Sequence, residues 1–323
     1  MITILITKSN AYSALVLLIR SMNDIRDRSR GRFAPSPTGP LHFGSLVAAV
    51  GSFLEARKND GEWLLRIEDL DRPRCREDAA NDILRTLEAF GFEWHGEVIW
   101  QSRRSAAYRD ALERLRAAGR VFACACSRRE LADSALAPNG APVYPGTCRS
   151  GLPPGKSPRA HRLRINEERI VFDDAIQGFV AQDLADAVGD FLLLRADGIF
   201  AYQLAVVADD GEQGVTQIVR GADLLDSTPR QVLLQRLLGW PMPAYAHLPV
   251  AIDASGEKLS KQTRAAPLDA AKPIPALLCA LHFLGQEPPA ELAEASLPEF
   301  WRWAAAHWQL ARVPRQRSLP APR

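Results

Sequence analysis

The sequence predicts an α/β fold organised around a parallel sheet. A strand over 31–35, an apolar helical stretch from Leu46 to Leu54 and a second strand over 61–69 form one βαβ unit, the building block of parallel sheets. Amphipathic helices follow over 77–90, with Ile83, Leu84, Leu87 and Phe90 on one face, and over 106–118, with Tyr108, Leu112 and Leu115 inward. Further on, apolar runs over 204–208 and 215–219 read as two more strands. Ser227-Thr228-Pro229 then opens a helix to Leu238, proline being suited to a first helical turn.

In chain order, residues 1–30 precede the first strand. The apolar run over 12–19 is far too short to span a bilayer. Lys8 and Arg20 flank it as in a secretion signal, yet Asp24, Arg26, Asp27, Arg28 and Arg30 follow where a small-residue cleavage site belongs. The segment is expected to be an N-terminal extension, disordered or reflecting a start placed too early, with Met22 as the alternative start. Residues 31–240 are the expected core, with an insert at about 120–160. Residues 241–312 carry a lysine-rich loop and short helices over 274–284 and 299–310. The Pro- and Arg-rich tail, 313–323, is expected to be disordered.

With 323 residues, 47% hydrophobic and 24% charged, the chain is a globular protein of one large domain or two. The net charge of +2 excludes a global basic field, so any nucleic-acid partner must be met by local patches. Five cysteines, an odd number, argue against a disulfide framework and for the cytoplasm. Cys75 and Cys279 are expected to be buried thiols.

The chemistry concentrates in Arg32-Phe33-Ala34-Pro35-Ser36-Pro37-Thr38-Gly39-Pro40-Leu41-His42-Phe43-Gly44-Ser45. Two prolines fix the backbone around Ser36. The helix after Gly44 would aim its N-terminus at a ligand, and such ends favour phosphate. His42 can donate to a phosphate oxygen. Far downstream, Lys258-Leu259-Ser260-Lys261-Gln262 supplies cations on a loop able to close over a triphosphate.

These two runs resemble the ATP-handling motifs of class I aminoacyl-tRNA synthetases, and the Arg-Phe-Ala-Pro-Ser-Pro-Thr-Gly lead-in resembles the glutamyl group. The resemblance covers roughly 31–310. It implies a Rossmann-like class I catalytic core with an inserted zinc-bearing, acceptor-type subdomain and a short helical C-terminal part. Only about 60 residues follow the lysine loop, too few for the helical anticodon-binding domain of a full glutamyl-tRNA synthetase. The His-Phe-Gly-Ser and Lys-Leu-Ser-Lys-Gln forms, with a Cys-x-Cys…Tyr-x-x-x-Cys insert, are similar to glutamyl-queuosine tRNA(Asp) synthetases, truncated paralogues of that enzyme.

That family activates glutamate without tRNA and transfers it to queuosine in the anticodon of tRNA(Asp). The resemblance implies His42, Gly44, Lys258 and Lys261 as catalytic, with Ser45 and Ser260 added for ATP. It implies Arg32, Phe33, Ala34, Pro35, Ser36, Glu68, Tyr202 and Arg220 around glutamate. Arginine can grip the side-chain carboxylate, and Glu68, at a strand end, suits the ammonium. Partners would be ATP with Mg²⁺, L-glutamate and queuosine-bearing tRNA(Asp), with no membrane, and the chain is expected to be a monomer.

Spacing alone leaves Cys124, Cys126 and Cys148 open to a metal site or to buried thiols. The resemblance implies one structural Zn²⁺ with Tyr144 as fourth ligand, while His161 would be the chemically ordinary choice. Asp209-Asp210 reads as a polar edge facing substrate rather than a metal pair. Two other functions compete. A shortened synthetase would charge the 3′ end of tRNA(Glu), and an inactive paralogue would only bind tRNA, although intact His42, Gly44, Lys258, Ser260 and Lys261 argue against the latter.

Overall fold

The computed structural model describes residues 29–127, 129–131, 143–259 and 266–322. The expectations for residues 1–28, and for Ser260, Lys261 and Gln262, fall outside them.

Strand β1 (Arg30–Phe33) leads through the Pro/Gly loop to helix α1 (Phe43–Lys58) and back along β2 (Glu62–Ile67). β1 and β2 pair in parallel, Arg32 opposite Leu64, as the βαβ reading requires. Ten positions of α1, from Leu46 to Ala56, are buried, which explains why its sequence lacks a polar stripe. Its end turns tightly at Gly61, where a Cβ would lie 2.3 Å from the Ser29 carbonyl oxygen, so only glycine fits. Helix α2 (Glu77–Ala89), β3 (Ile99–Trp100) and α3 (Ser105–Ala117) follow, with β3 extending the sheet in parallel beside β2.

Next come β4 (Val121–Cys124), β5 (Ala160–Leu163), the hairpin β6 (Arg169–Asp174) and β7 (Gly178–Asp183), the single-turn helix α4 (Leu184–Ala187) and β8 (Leu192–Leu194). β4, β5 and β8 form an antiparallel sheet of their own. Then come α5 (Tyr202–Glu212), β9 (Gln217–Gly221), α6 (Thr228–Leu238) and β10 (Ala244–Leu248). β9, β10 and β6 run parallel, with β7 antiparallel at the edge. The Arg30 carbonyl accepts from Thr216 N at 3.0 Å, and this joins β1 to the segment entering β9.

The last elements are β11 (Val250–Ile252), α7 (Pro273–Phe283), α8 (Leu297–His307) and β12 (Ser318–Pro320). α7 and α8 are not a detached unit. Trp301 packs edge-on to Phe53 at 4.9 Å, and buried Trp308 donates to Glu55 Oε2 at 2.6 Å, fastening them to α1.

Three expectations need correction. Residues 204–208 are not a strand but the middle of α5. An unbroken apolar run buried on all sides carries no period to separate helix from strand. The tail is not disordered over 318–320, where β12 pairs in parallel with β11. Cys75 and Cys279 are half-buried rather than buried.

Candidate active site

A cavity of about 780 Å³ opens where the C-terminal ends of β1, β9 and β10 and the residues just after β2 converge, the place where open parallel sheets bind ligands. Arg32, Phe33, Ala34, Pro35 and Ser36 line it from β1, and Glu68 from the end of β2. Tyr202 at the start of α5 and Arg220 in β9 complete that wall. Opposite them stand His42, Gly44 and Ser45 at the start of α1, with Lys258 entering from the loop after β11. One cavity therefore gathers every described residue expected around glutamate and ATP.

The wall is electrostatically built. Arg32 is buried and donates to Asp210 Oδ1 at 3.2 Å, while fully buried Arg66 reaches the same oxygen at 2.8 Å. Glu68 lies 3.7 Å from Arg66. Burial pushes the Glu68 carboxyl up to about 7, against the pull of Arg66 and Arg32. Among these groups it is an anion held at a cost, suited to a ligand that brings a cation.

Asp209 and Asp210 thus correct the expectation of a substrate-facing edge. Both are buried on α5. Asp209 accepts from Gln101 at 2.8 Å, Tyr108 at 2.9 Å and Arg104 at 2.6 Å and is not among the residues that line the cavity. Asp210 does not line the cavity either, but it holds Arg32, which does.

Arg220 is 5% exposed. Its Nε donates to His247 Nε2 at 3.0 Å and its Nη2 to Thr228 Oγ1 at 2.8 Å. His247 Nδ1 in turn meets Asp174 Oδ2 at 2.6 Å. The sequence reading missed His247, Asp174 and Thr228. The available signal was an inward histidine in an otherwise apolar strand, Tyr245-Ala246-His247-Leu248, a residue type that needs a partner when buried.

At the other end, α1 starts without a side-chain cap, and Gly44 and Ser45 of its first turn line the cavity, the geometry of an anion site. A Cβ on Gly44 would stand 3.2 Å from the His42 ring and 3.4 Å from the Leu259 carbonyl oxygen. The bare glycine lets the histidine and the lysine loop approach each other. Lys258 Nζ pairs with Asp223 Oδ2 at 2.5 Å.

In the insert, the Sγ atoms of Cys124, Cys126 and Cys148 lie within 4.8 Å of one another. Cys126 and Cys148 are 3.7 Å apart, close to the edge of about 3.8 Å that a tetrahedral zinc with bonds of about 2.3 Å to sulfur requires. Tyr144 Oη stands 3.6 Å from Cys124 Sγ and 3.8 Å from Cys126 Sγ and accepts the Cys148 amide at 2.8 Å. Arg162 donates to Cys124 Sγ at 3.3 Å and lies 3.8 Å over the Tyr144 ring, a cation beside what would be an anionic ligand set. This donor set fits a soft divalent cation. His161, paired with Ala123 across β4 and β5, is outside the sulfur group.

The model of class I tRNA synthetases (E and Q), catalytic domain, matches residues 29–271. The chain belongs to that family. Within it, the chain is 65% identical to the glutamyl-Q tRNA(Asp) synthetase of Aromatoleum aromaticum over 90% of its own length and 92% of the relative's. It is 59% identical to that of Dechloromonas aromatica, over 91% and 98%. Among solved structures, the glutamate-tRNA synthetase of Elizabethkingia anophelis superposes with a TM-score of 0.75 at 25% identity, over 90% of this chain and 67% of that one.

The class I fold accounts for the site's layout. A family built on parallel strands places its ligands at their C-terminal ends, and Arg32, Glu68 and Arg220 all sit there. Among the described residues, no helix is long and apolar enough to cross a membrane.

Proposed function

We propose that the protein joins glutamate to ATP, without tRNA, to form glutamyl-adenylate, and then transfers the glutamyl group to the queuosine base in the anticodon of tRNA(Asp). The observation that carries the reading is the shared cavity, lined by His42, Gly44 and Ser45 of the first ATP-handling motif and Lys258 and Leu259 of the second together with Arg32, Glu68, Tyr202 and Arg220. The acceptor follows from the relatives, named glutamyl-Q tRNA(Asp) synthetases and aligned over more than nine tenths of their length.

In the first step an oxygen of the glutamate α-carboxylate attacks the α-phosphorus of ATP and pyrophosphate leaves. Glu68 holds the α-ammonium, Arg220 takes the side-chain carboxylate and Arg32 steadies the reacting end, so the attack geometry is set before reaction. The first-turn amides of α1 and His42 meet the phosphates. Lys258, drawn off Asp223, and Lys261 offset charge that grows as pyrophosphate departs. In the second step a hydroxyl of the cyclopentenediol attacks the glutamyl carbonyl and AMP leaves. Mg²⁺ accompanies ATP, held largely by phosphates and water.

One Zn²⁺ per chain, on Cys124, Cys126, Tyr144 and Cys148, would be structural. It would tie the end of β4 to the 143–148 turn. The protein acts in the cytoplasm as a monomer. Unstacked bases of an RNA loop can be gripped by a pocket of this kind, while Arg103, which lines a second, smaller pocket and lies over the Trp100 ring, would offer a phosphate contact.

The test is glutamate-dependent ATP–pyrophosphate exchange with and without tRNA, followed by nuclease mapping of tRNA charged with labelled glutamate. Exchange without tRNA, with label in the anticodon fragment of queuosine-bearing tRNA(Asp), supports the reading. Label on the terminal adenosine of tRNA(Glu) overturns it.

A further inference from the structure

We propose that His247, held by Asp174, is a positioning residue for amino-acid recognition: it pins the Arg220 guanidinium so that its unpartnered Nη1 group is held ready for the substrate's side-chain carboxylate. The inference rests on the glutamate reading of the cavity and adds how that site is made selective.

The hydrogen-bond roles follow from chemistry. A guanidinium only donates, so His247 Nε2, 3.0 Å from Arg220 Nε, must accept. The ring proton is then on Nδ1 and goes to Asp174 Oδ2 at 2.6 Å. Asp174 cannot swing away, because its other oxygen accepts the backbone amides of Gln177 at 2.8 Å and of Ile176 and His247 at 3.1 Å. Asp174 thereby selects the tautomer, and the tautomer makes Nε2 an acceptor for Arg220. Thr228 Oγ1 takes Nη2.

Nη1, by contrast, with its two N–H groups, is buried and without a hydrogen-bond partner among the described residues, on a side chain that lines the cavity. An unpaired buried donor is costly, and a carboxylate arriving in the cavity relieves that cost with a charge-assisted bond. Register makes the arrangement rigid, since His247 and Arg220 are Cα partners on adjacent parallel strands. Tyr245, stacked on His247 at 11° and with Arg220 over its ring, closes the far side. An arginine free to turn would meet water instead and lose the preorganised contact.

Glutamate-dependent ATP–pyrophosphate exchange tests this in wild type, His247→Leu, His247→Gln and Thr228→Val. Leucine removes the acceptor; glutamine restores one near the Nε2 position. His247→Leu should raise the glutamate KM by ~10-fold or more, with the ATP KM within about twofold, and His247→Gln should recover most of the loss. Thr228→Val, which frees Nη2, should raise the glutamate KM alone and keeps the test open if His247→Leu fails to fold. An unchanged glutamate KM in His247→Leu, or in Thr228→Val where the former does not fold, overturns the inference. So does a parallel rise in both KM values. Absence of glutamate-dependent exchange in wild type would remove the glutamate reading as well, whereas normal wild-type exchange with indifferent variants removes only the role of His247.

Discussion

Arg66 and Asp210 meet at 2.8 Å, both buried, one at the end of β2 and the other on α5. Asp210 also holds Arg32, so one carboxylate anchors two cations beneath the cavity. Removing one member of such a set leaves charge buried without compensation, which typically costs about 3–5 kcal/mol. Asp210→Ala should therefore lower the urea midpoint markedly and abolish exchange through Arg32. A midpoint unchanged from wild type would mean that Asp209 and Glu68 suffice for Arg66.

Glu68 gives a pH prediction. Its folded-state value of about 7 is above the ordinary 4.5, so the folded protein holds a proton that the unfolded chain releases in between. Its contribution to stability is then present below the unfolded value and is lost as pH rises through about 7. Binding an ammonium needs the ionised form. The glutamate KM should rise as pH falls from about 8 to about 6, and Glu68→Gln should raise KM throughout while flattening that profile. A profile that is equally steep in Glu68→Gln would assign the titration to another group.

Zinc analysis of purified protein should give one metal per chain, and a Cys124→Ala/Cys148→Ala variant should lose it and melt earlier. Tyr144→Phe should weaken retention against a chelator, while His161→Ala should not, because His161 lies outside the sulfur group. The reverse result would exchange their roles.

Lys258→Ala and Lys261→Ala should each slow exchange by ~10²-fold or more, through loss of a cation at the departing pyrophosphate. A rate within about twofold of wild type would take that lysine out of the mechanism.

Much of the site was legible because its residues sit in short runs whose chemistry is local. Arg32 to Ser45 form a strand, a loop and a helix start in one piece, and Glu68 follows β2 directly. Arg66 was not legible, although it lies two residues from Glu68. An arginine in an apolar strand signals a buried counter-charge, but only the fold brings Asp209 and Asp210 to it across α5. The same apolar density that hid α5 as a strand concealed this, since Leu204 to Ala208 show no polar face. His247 and Asp174 are adjacent only through the pairing of β10 with β6.

The tail yields the last prediction, because composition suggested disorder and long-range pairing decides otherwise. Val250 N donates to the Arg317 carbonyl at 3.0 Å, and Ala321 N to that of Ile252 at 2.8 Å, so β12 clamps β11 along its length. Arg315 donates to the Ile176 carbonyl at 2.9 Å, and Gln177 to that of Gln316 at 3.0 Å, which fixes the tail to the hairpin of β6 and β7. β11 in turn carries the lysine loop. Ile252 bridges Lys258, and Leu259 N donates to the Ala251 carbonyl at 2.8 Å. Loss of residues 315–323 should therefore loosen the base of that loop while leaving Arg32, Glu68 and Arg220 in place. The expected outcome is an ATP KM raised several-fold, roughly 1 kcal/mol in binding, with the glutamate KM nearly unchanged and zinc retained. An unchanged ATP KM would show that β11 holds the loop without the tail, and a matched rise in both KM values would mean that the tail stabilises the whole cavity rather than its ATP side.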